Sequence, residues 1–447
     1  MPPGPFPYPF IGNAPQMIGD AIVLNSVSFI RDARLGRKDD LSGKKRESVY
    51  PQNLIFSERG FIAADFSPAY LFRKRVFVSA LHIFGSGIEH ASKQARKAVD
   101  LAIEEIDSKQ GLPISPKNLF ATSISAQLWV WLTSSEVSLN DQVIKDIIKL
   151  GDIMGQTALF ATLYQLLPML VYLPTRFSRR LKRAQQLKKR ICPPEFKAHK
   201  KTFMPGVIRD ITDSLISAYE KEIAKETSKD IGSIEDIPGI VLDIILAGSE
   251  TTSSSMSWFM LYMILNPDMQ EIIQKEIDLA VGGDRTPCWN DAKNMPYLQA
   301  ALCEVQRAVT LVVLAPTSTR RDITIAGYHI PKGTAVLANL NKAHHDEREW
   351  PEPEKFKPER FLDSDGKFVG WSKIQHFIPF GLGRRECAGQ SLAKILMVTF
   401  AASLLHRYKF ELPEGAEIPT TEVTEPHLVM RPQDFEVVAK ERCDMTM

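Results

Sequence analysis

The sequence predicts a mainly α protein with small peripheral β-sheets, and three observations carry that prediction. Apolar residues recur at three- and four-residue intervals, as in Val99, Ile103 and Ile106, and again in Ile144, Ile147, Ile148 and Leu150. Strand-like alternation is short and comes late, in Ile323-Thr324-Ile325 with Tyr328-His329-Ile330, in Thr334 to Ala338, and in Phe435 to Val438. Hydrophobic residues make up 44% and charged residues 24% of 447, values that give an ordinary globular chain a sizeable core.

Taken in order, residues 1–20 begin Met1-Pro2-Pro3-Gly4-Pro5-Phe6-Pro7-Tyr8-Pro9 and read as a hinge, because proline fixes φ and stiffens an extended spacer. Residues 21–447 read as one domain. Ile22 to Asn25 is a short strand, Val27 to Leu35 a helix, and Arg37 to Glu47 a charged loop. Helical periodicity then dominates from Tyr70 to about Ile223. Within it, Ala158 to Pro174 is apolar but interrupted by Gln165 and Pro168, and the basic run Arg176, Arg179, Arg180, Lys182, Arg183, Lys188, Lys189 and Arg190 follows. That pair reads either as a surface dipping into an anionic bilayer or as a core helix followed by a solvated one. A further helix is expected from Asp236, with Pro238 in its first turn, to Asn266-Pro267, a span of about 45 Å at about 1.5 Å per residue.

Charge and cysteine usage exclude several classes. Lys+Arg 55 against Asp+Glu 53 leaves +2, too balanced for nucleic-acid binding. Five cysteines, odd in number and without a CxxC pair, argue for a reducing environment and against a disulfide scaffold or zinc site. No uninterrupted apolar run reaches the roughly 20 residues of a membrane-spanning helix.

The most informative stretch is Pro379-Phe380-Gly381-Leu382-Gly383-Arg384-Arg385-Glu386-Cys387-Ala388-Gly389, one Cys in a glycine-hinged loop opening into the apolar helix from Gln390 to Leu405. A glycine-rich turn with a free Cys is the plain alternative. The spacing suits a thiolate socket for haem iron, since a thiolate pushes electron density onto the metal and favours O–O cleavage. Cys387 is then the axial ligand, and Phe380 shields the sulfur. Gly383 and Gly389 allow positive φ and close backbone approach, and Arg385 is placed to hold a propionate. The helix that follows aims its positive end at the sulfur.

A second irregularity lies in the middle of the long apolar helix, where Ala247-Gly248-Ser249-Glu250-Thr251-Thr252-Ser253-Ser254-Ser255 places poor helix formers and an acid. Hydroxyls competing for backbone carbonyls are expected to open the helix there, with Gly248 leaving room for O₂ and a water. Glu250 and Thr251 read as an acid and alcohol relay. A helix break with a capping Ser/Thr cluster is the plain alternative. Glu304-Val305-Gln306-Arg307 puts an acid and a base three apart, ordinarily a surface pair worth a few tenths of a kcal/mol, roughly.

Phe-x-x-Gly-x-Arg-x-Cys-x-Gly, the Ala-Gly-x-Glu-Thr run at Ala247, Gly248, Glu250 and Thr251, and Glu-x-x-Arg followed by Pro358-Glu359-Arg360-Phe361 together resemble the cytochrome P450 family over nearly the whole chain. The tone is that of animal microsomal drug-oxidising members and steroid 17α- and 21-hydroxylases. The resemblance implies the family fold and haem b held by Cys387. It also implies a buried structural clamp of Glu304, Arg307 and Arg360. The implied activity is insertion of one oxygen atom from O₂ into a lipophilic substrate (steroid, fatty acid or xenobiotic). Electrons come from NADPH through NADPH-cytochrome P450 reductase, with cytochrome b5 as a second candidate donor. Arg384 and Lys394 are candidates to steer an acidic partner. The resemblance further implies the cytoplasmic face of the endoplasmic reticulum, with the membrane anchor absent from this chain.

Three departures accompany the resemblance. Trp-x-x-x-Arg is missing from Tyr70-Leu71-Phe72-Arg73-Lys74-Arg75, so Tyr70 with Lys74, or Arg75 alone, is left to reach a propionate. Relatives often have His where this chain has Thr317, and Val312 to Ala315 is slightly short. Asp20-Ala21 runs directly into Ile22, where relatives place a helix and strand pair of roughly 30 residues. A variant transcript, an incomplete gene model and a deletion all leave that trace, and a deletion takes partners from the N-terminal sheet. Two alternative readings stand beside the monooxygenase: a hydroperoxide isomerase or dehydratase of the same fold, and a non-catalytic haem-binding relative disabled by the gap.

Overall fold

The computed structural model describes residues 21–44, 55–56, 60–83, 88–157, 169, 172–225, 231–283, 285–423 and 427–442. The hinge, most of the Ala158 to Pro174 stretch and Cys443 lie outside the described residues. Strand β1 (Ala21–Leu24) leads to helix α1 (Val27–Arg31), whose first turn is capped where the Ser26 hydroxyl accepts from the Phe29 N–H. The helix expected over Val27 to Leu35 is present, but it changes winding partway and continues as a π-turn, Asp32–Gly36.

The helical body follows in α2 (Pro68–Ile83), α3 (Ile88–Ser108), α4 (Pro116–Thr133), α5 (Gln142–Thr157), α6 (Arg176–Thr202) and α7 (Ile211–Ile223). Then come α8 (Ile237–Leu265), α9 (Pro267–Val281) and α10 (Pro296–Val309). Strands β2 (Leu314–Ser318), β3 (Ile323–Ile325), β4 (Tyr328–Ile330) and β5 (Ala335–Asn339) precede α11 (Leu340–His344), α12 (Gln390–Arg407), β6 (Tyr408–Glu411) and β7 (Val438–Glu441).

The sheets are small and peripheral, as expected. In one, β5 pairs in parallel with β1 and antiparallel with β2, so β1 is an edge strand among the described residues. Pro316 fits β2 because that strand also lies at an edge, where a missing N–H is tolerated. The strand expected at Phe435 to Val438 is shifted. Val437 bridges Ile114, and the ladder with β6 runs from Val438.

Helix α8 is the axis of the core. Local chemistry sets its start: Ser233 and Asp236 form a capping box and Pro238 falls in the first turn, where the lack of an N–H costs nothing. Asn266 ends it. Its flanks are buried almost all round, with α4 packed along it and α12 packed on both α8 and α3. The expected opening at its centre is absent. Thr251 Oγ1 donates to Ala247 O at 2.8 Å and Ser255 Oγ to Thr251 O at 2.8 Å, yet the helix continues unbroken, because such back-bonding shares a carbonyl already in the ladder.

The Glu304 and Arg307 side chains are both fully buried and form a bidentate pair, 2.8 Å on each arm. Glu304 Oε1 also accepts the Lys357 N–H at 2.8 Å and lies 3.4 Å from Arg360 Nε, an ion contact without hydrogen-bond alignment. Arg360 donates to the Pro351 and Glu352 carbonyls. Arg307 reaches His344 O at 3.0 Å and stacks over Trp350. His344 passes the constraint on. Thr310 Oγ1 spends its proton on Arg307 O, so His344 Nδ1–H donates to Thr310, and Nε2 accepts the Ile378 N–H at 3.0 Å, one residue before the Cys loop.

Removing one member of a buried pair leaves the other charged and desolvated. Glu304→Gln should cost about 3–5 kcal/mol in denaturant unfolding, against under about 1 for the exposed pair partner Glu271→Gln. His344 adds a pH signature. Burial first, then the nearby charges of His345, Arg307 and His376, push its pKa down to about 3. The unfolded imidazole takes a proton near pH ~6.5, so stability is intact above that value and falls as pH drops, by about 1.4 kcal/mol per unit until about pH 3. In urea titrations from pH 7 to 4, His344→Gln should therefore start less stable than wild type and close the gap at that rate. A gap constant with pH contradicts the assignment.

Candidate active site

One apolar cavity of about 450 Å³ lies between the Cys loop and the middle of α8. Phe380, Cys387 and Gly389 of the Cys loop line it, together with Ala247, Gly248 and Thr251 of α8. Tyr70, Lys74 and Phe77 of α2 and Leu314 to Thr317 of β2 close the sides.

Backbone geometry builds the loop. Cys387 N–H donates to Phe380 O at 2.9 Å, closing a turn in which Gly381 (φ 71°) and Gly383 (φ 79°) take left-handed conformations. Gly383 is pressed on the π-turn: a Cβ there would sit 2.2 Å from Arg34 O. Gly389 meets a different demand from the one expected. Its φ is −96°, and a Cβ would meet nothing within 4 Å, so it keeps the cavity wall open rather than turning the chain. Lys74 Nζ ties α2 to the loop through the carbonyls of Arg384 (3.1 Å) and Glu386 (3.3 Å).

The thiol of Cys387 is exposed only in the sense that it faces the cavity it lines. Surrounding protein raises its pKa; the Gly389 N–H and the Lys74 ammonium pull the other way. Arg385 donates to Ser42 O (2.8 Å) and Ala64 O (2.9 Å) and lies 4.1 Å over the Tyr70 ring, while its Nη1 is buried without a partner. A single thiol, an orphan guanidinium nitrogen and a Cβ-free wall on an apolar slot fit a haem: Cys387 for the iron, Arg385 for a propionate, Phe380 beside the sulfur. Arg75 does not join them. It is exposed, with its guanidinium 5.9 Å from the Phe72 ring, because α2 turns Tyr70 and Lys74, four apart, inward.

Glu250 and Thr251 also part company. Thr251 lines the cavity, but Glu250 faces the other side of α8, bound by Arg431 through Nε (2.6 Å) and Nη2 (2.5 Å), with Asp152 on Arg431 Nη1 at 2.6 Å. That side holds a separate polar chamber of about 160 Å³ lined by Ser249, Ser253, Ser254 and Ser257. Gly248 serves packing as well as space, since a Cβ would lie 3.1 Å from Leu128 Cδ1.

Four lining or supporting residues carry no motif: Arg34, Lys44, Asp243 and His344. Asp243 is one helical turn before Ala247, a spacing that would have placed it on the cavity face. It accepts the Phe61 (2.6 Å) and Ile62 (2.8 Å) N–H groups on Oδ2, and burial raises its pKa to about 6.

The Cytochrome P450 family model matches residues 19–439. The chain belongs to the cytochrome P450 family. This P450 is 30% identical to cytochrome P450 1A1 of Canis lupus familiaris, over 94% of this chain and 87% of that one. It is 29% identical to the steroid 17-alpha-hydroxylase/17,20 lyase of Ictalurus punctatus, over 94% and 82%. A zebrafish cytochrome P450 solved with progesterone superposes with a TM-score of 0.82 at 27% identity, covering 94% of this chain and 93% of the other. The P450 fold, the monooxygenase class and haem b with NADPH-derived electrons follow from family membership. So do a redox partner and a lipophilic substrate as classes.

Gly383→Ala tests the contact between the P450 loop and the π-turn. Positive φ and the Arg34 carbonyl together should cost about 1–3 kcal/mol and speed haem loss. Gly366→Ala, at φ 73° with nothing within 4 Å, should show the strain without the haem loss.

Proposed function

We propose that this P450 inserts one oxygen atom from O₂ into a steroid, fatty acid or xenobiotic, with NADPH-cytochrome P450 reductase as electron donor and cytochrome b5 as a second. The observation that carries this reading is one apolar cavity lined by both Cys387 and Thr251. Haem bound there supplies O₂ binding and O–O cleavage, promoted by thiolate electron density. Around it, Phe61, Ile62, Phe77, Leu311 and Val312 exclude water and orient an apolar substrate. Thr251 is the hydroxyl that handles a proton at the cavity face; Glu250 stands behind α8 on the serine-lined chamber, paired with Arg431.

Partner and membrane contacts rest on surface chemistry. Lys394 lies over the Phe380 and Trp371 rings on the Cys side and offers an acidic protein a cation, whereas Arg384 is paired with Asp39 at 2.7 Å. Exposed Met169, Tyr172 and Leu173 beside the outward Arg176, Arg179, Arg180 and Arg183 suit docking on the cytoplasmic face of the endoplasmic reticulum. No helix among the described residues is long and apolar enough to cross a membrane. A second reading, hydroperoxide isomerase or dehydratase, gains from Glu250 facing away from the cavity, since that chemistry needs no proton relay.

Reduction under carbon monoxide should give the red-shifted Soret band of a thiolate-ligated haem, lost in Cys387→Ala. With reductase, NADPH and a lipophilic panel, Thr251→Ala should lower kcat about 100-fold while NADPH is still consumed. Turnover of lipid hydroperoxides without reductase, and no NADPH-dependent product, would sink the monooxygenase in favour of the second reading.

A further inference from the structure

The cavity carries more positive charge than the family motif accounts for. Arg34, Lys44, Lys74 and Arg385 all line it, and among the described residues no carboxylate is ion-paired with Arg34 or Lys44. Arg34 is the unexpected member. It sits in the π-turn, its side chain is 95% enclosed, and it donates to the carbonyls of Leu41, Ala315 (2.7 Å) and Val336. Those three carbonyls take three of the five guanidinium N–H groups and leave the charge unbalanced. Arg385 repels it: burial first, then Arg385, lower the Arg34 pKa to about 10. Lys44 is lowered further, to about 8, by burial, then Arg385 and Arg34. Buried like charges within reach of one another are costly unless an anion joins them. Asp65 and Tyr70 face Arg385 and Asp243 faces Lys44, whereas the charge acting on Arg34 among the described residues is that of Arg385.

We propose that Arg34 is a haem-anchoring and potential-setting residue, a fixed buried cation beside Arg385 and Lys44 that holds the carboxylate edge of the haem and raises the reduction potential of its iron. The π-turn puts Arg34 at the cavity, and Gly383 packs the Cys loop closely against that residue's own carbonyl, so the charge and the ligand loop are in direct contact. Reducing the ferric iron adds one negative charge to the site. A cation already desolvated stabilises that electron more than water would. The surplus over Lys74 and Arg385 also offsets the missing tryptophan and histidine of relatives.

The test compares haem-loaded wild type, Arg34→Gln and Arg34→Lys by spectroelectrochemical titration and by haem transfer to an apo-globin acceptor. Arg34→Gln should shift the ferric/ferrous ratio about tenfold towards ferric at a given potential, about 59 mV for one electron, and lose haem at least severalfold faster. Arg34→Lys at pH 7 should stay near wild type on both readouts, as should Arg75→Gln on the surface. Equal shifts in the lysine and glutamine variants would mean that Arg34 acts only by bonding the three carbonyls, and no shift in either would mean that its charge is not felt; both overturn the proposal. Where the glutamine variant does not assemble, the lysine variant decides. An amine this deep loses its proton as pH rises from 7 to 9, so its potential must fall below wild type over that range, with Lys44 and Lys74 common to both proteins. A potential that follows wild type throughout overturns the proposal.

Discussion

The buried Glu304–Arg307 pair is the constraint on which the rest of the site depends. Two ions without solvent exposure survive because further partners surround them: Lys357 N–H and the Arg360 charge on the acid, the His344 and Lys355 carbonyls on the base. The same bonds fix three stretches of chain against α10. From there His344 carries the position to Ile378, so the loop bearing Cys387 is held by directional bonds rather than by packing alone. On its other side the loop rests on the π-turn through Gly383 and on α2 through Lys74.

Helix α8 divides the chemistry because adjacent helical residues cannot share a face. Thr251 faces the apolar cavity, and Glu250 faces a polar chamber with Arg431 and Asp152. The two sides differ in what they can hold. The cavity suits a flat apolar cofactor and substrate, whereas the chamber, with Ser125 and Ser249 hydroxyls buried and unpartnered, suits water.

Much of this was legible because it is written in local rules. Pro238 and Asn266 marked the ends of α8 to within a residue, and glycines, one Arg and one Cys at fixed offsets marked the ligand loop. Departures from these local rules have geometric reasons. Arg75 was a candidate because it is basic and nearby, but helical phase turns Lys74 inward instead. The strand near Phe435 shifted because Ile114, more than 300 residues away in sequence, takes Val437 as its partner. The hydroxyl cluster left α8 intact because its side chains bond carbonyls already in the helix ladder.

Sequence alone determined the fold class, the thiolate loop, the long helix and the acid–base pair of the clamp, since each depends on residues close enough along the chain to act together. Tertiary structure decided which charges meet. Arg34 and Arg385 lie some 350 residues apart along the chain, and only the docking of the π-turn on the Cys loop brings them to one cavity. Electrostatic environment depends on distance and burial in space, and neither is encoded in spacing along the chain.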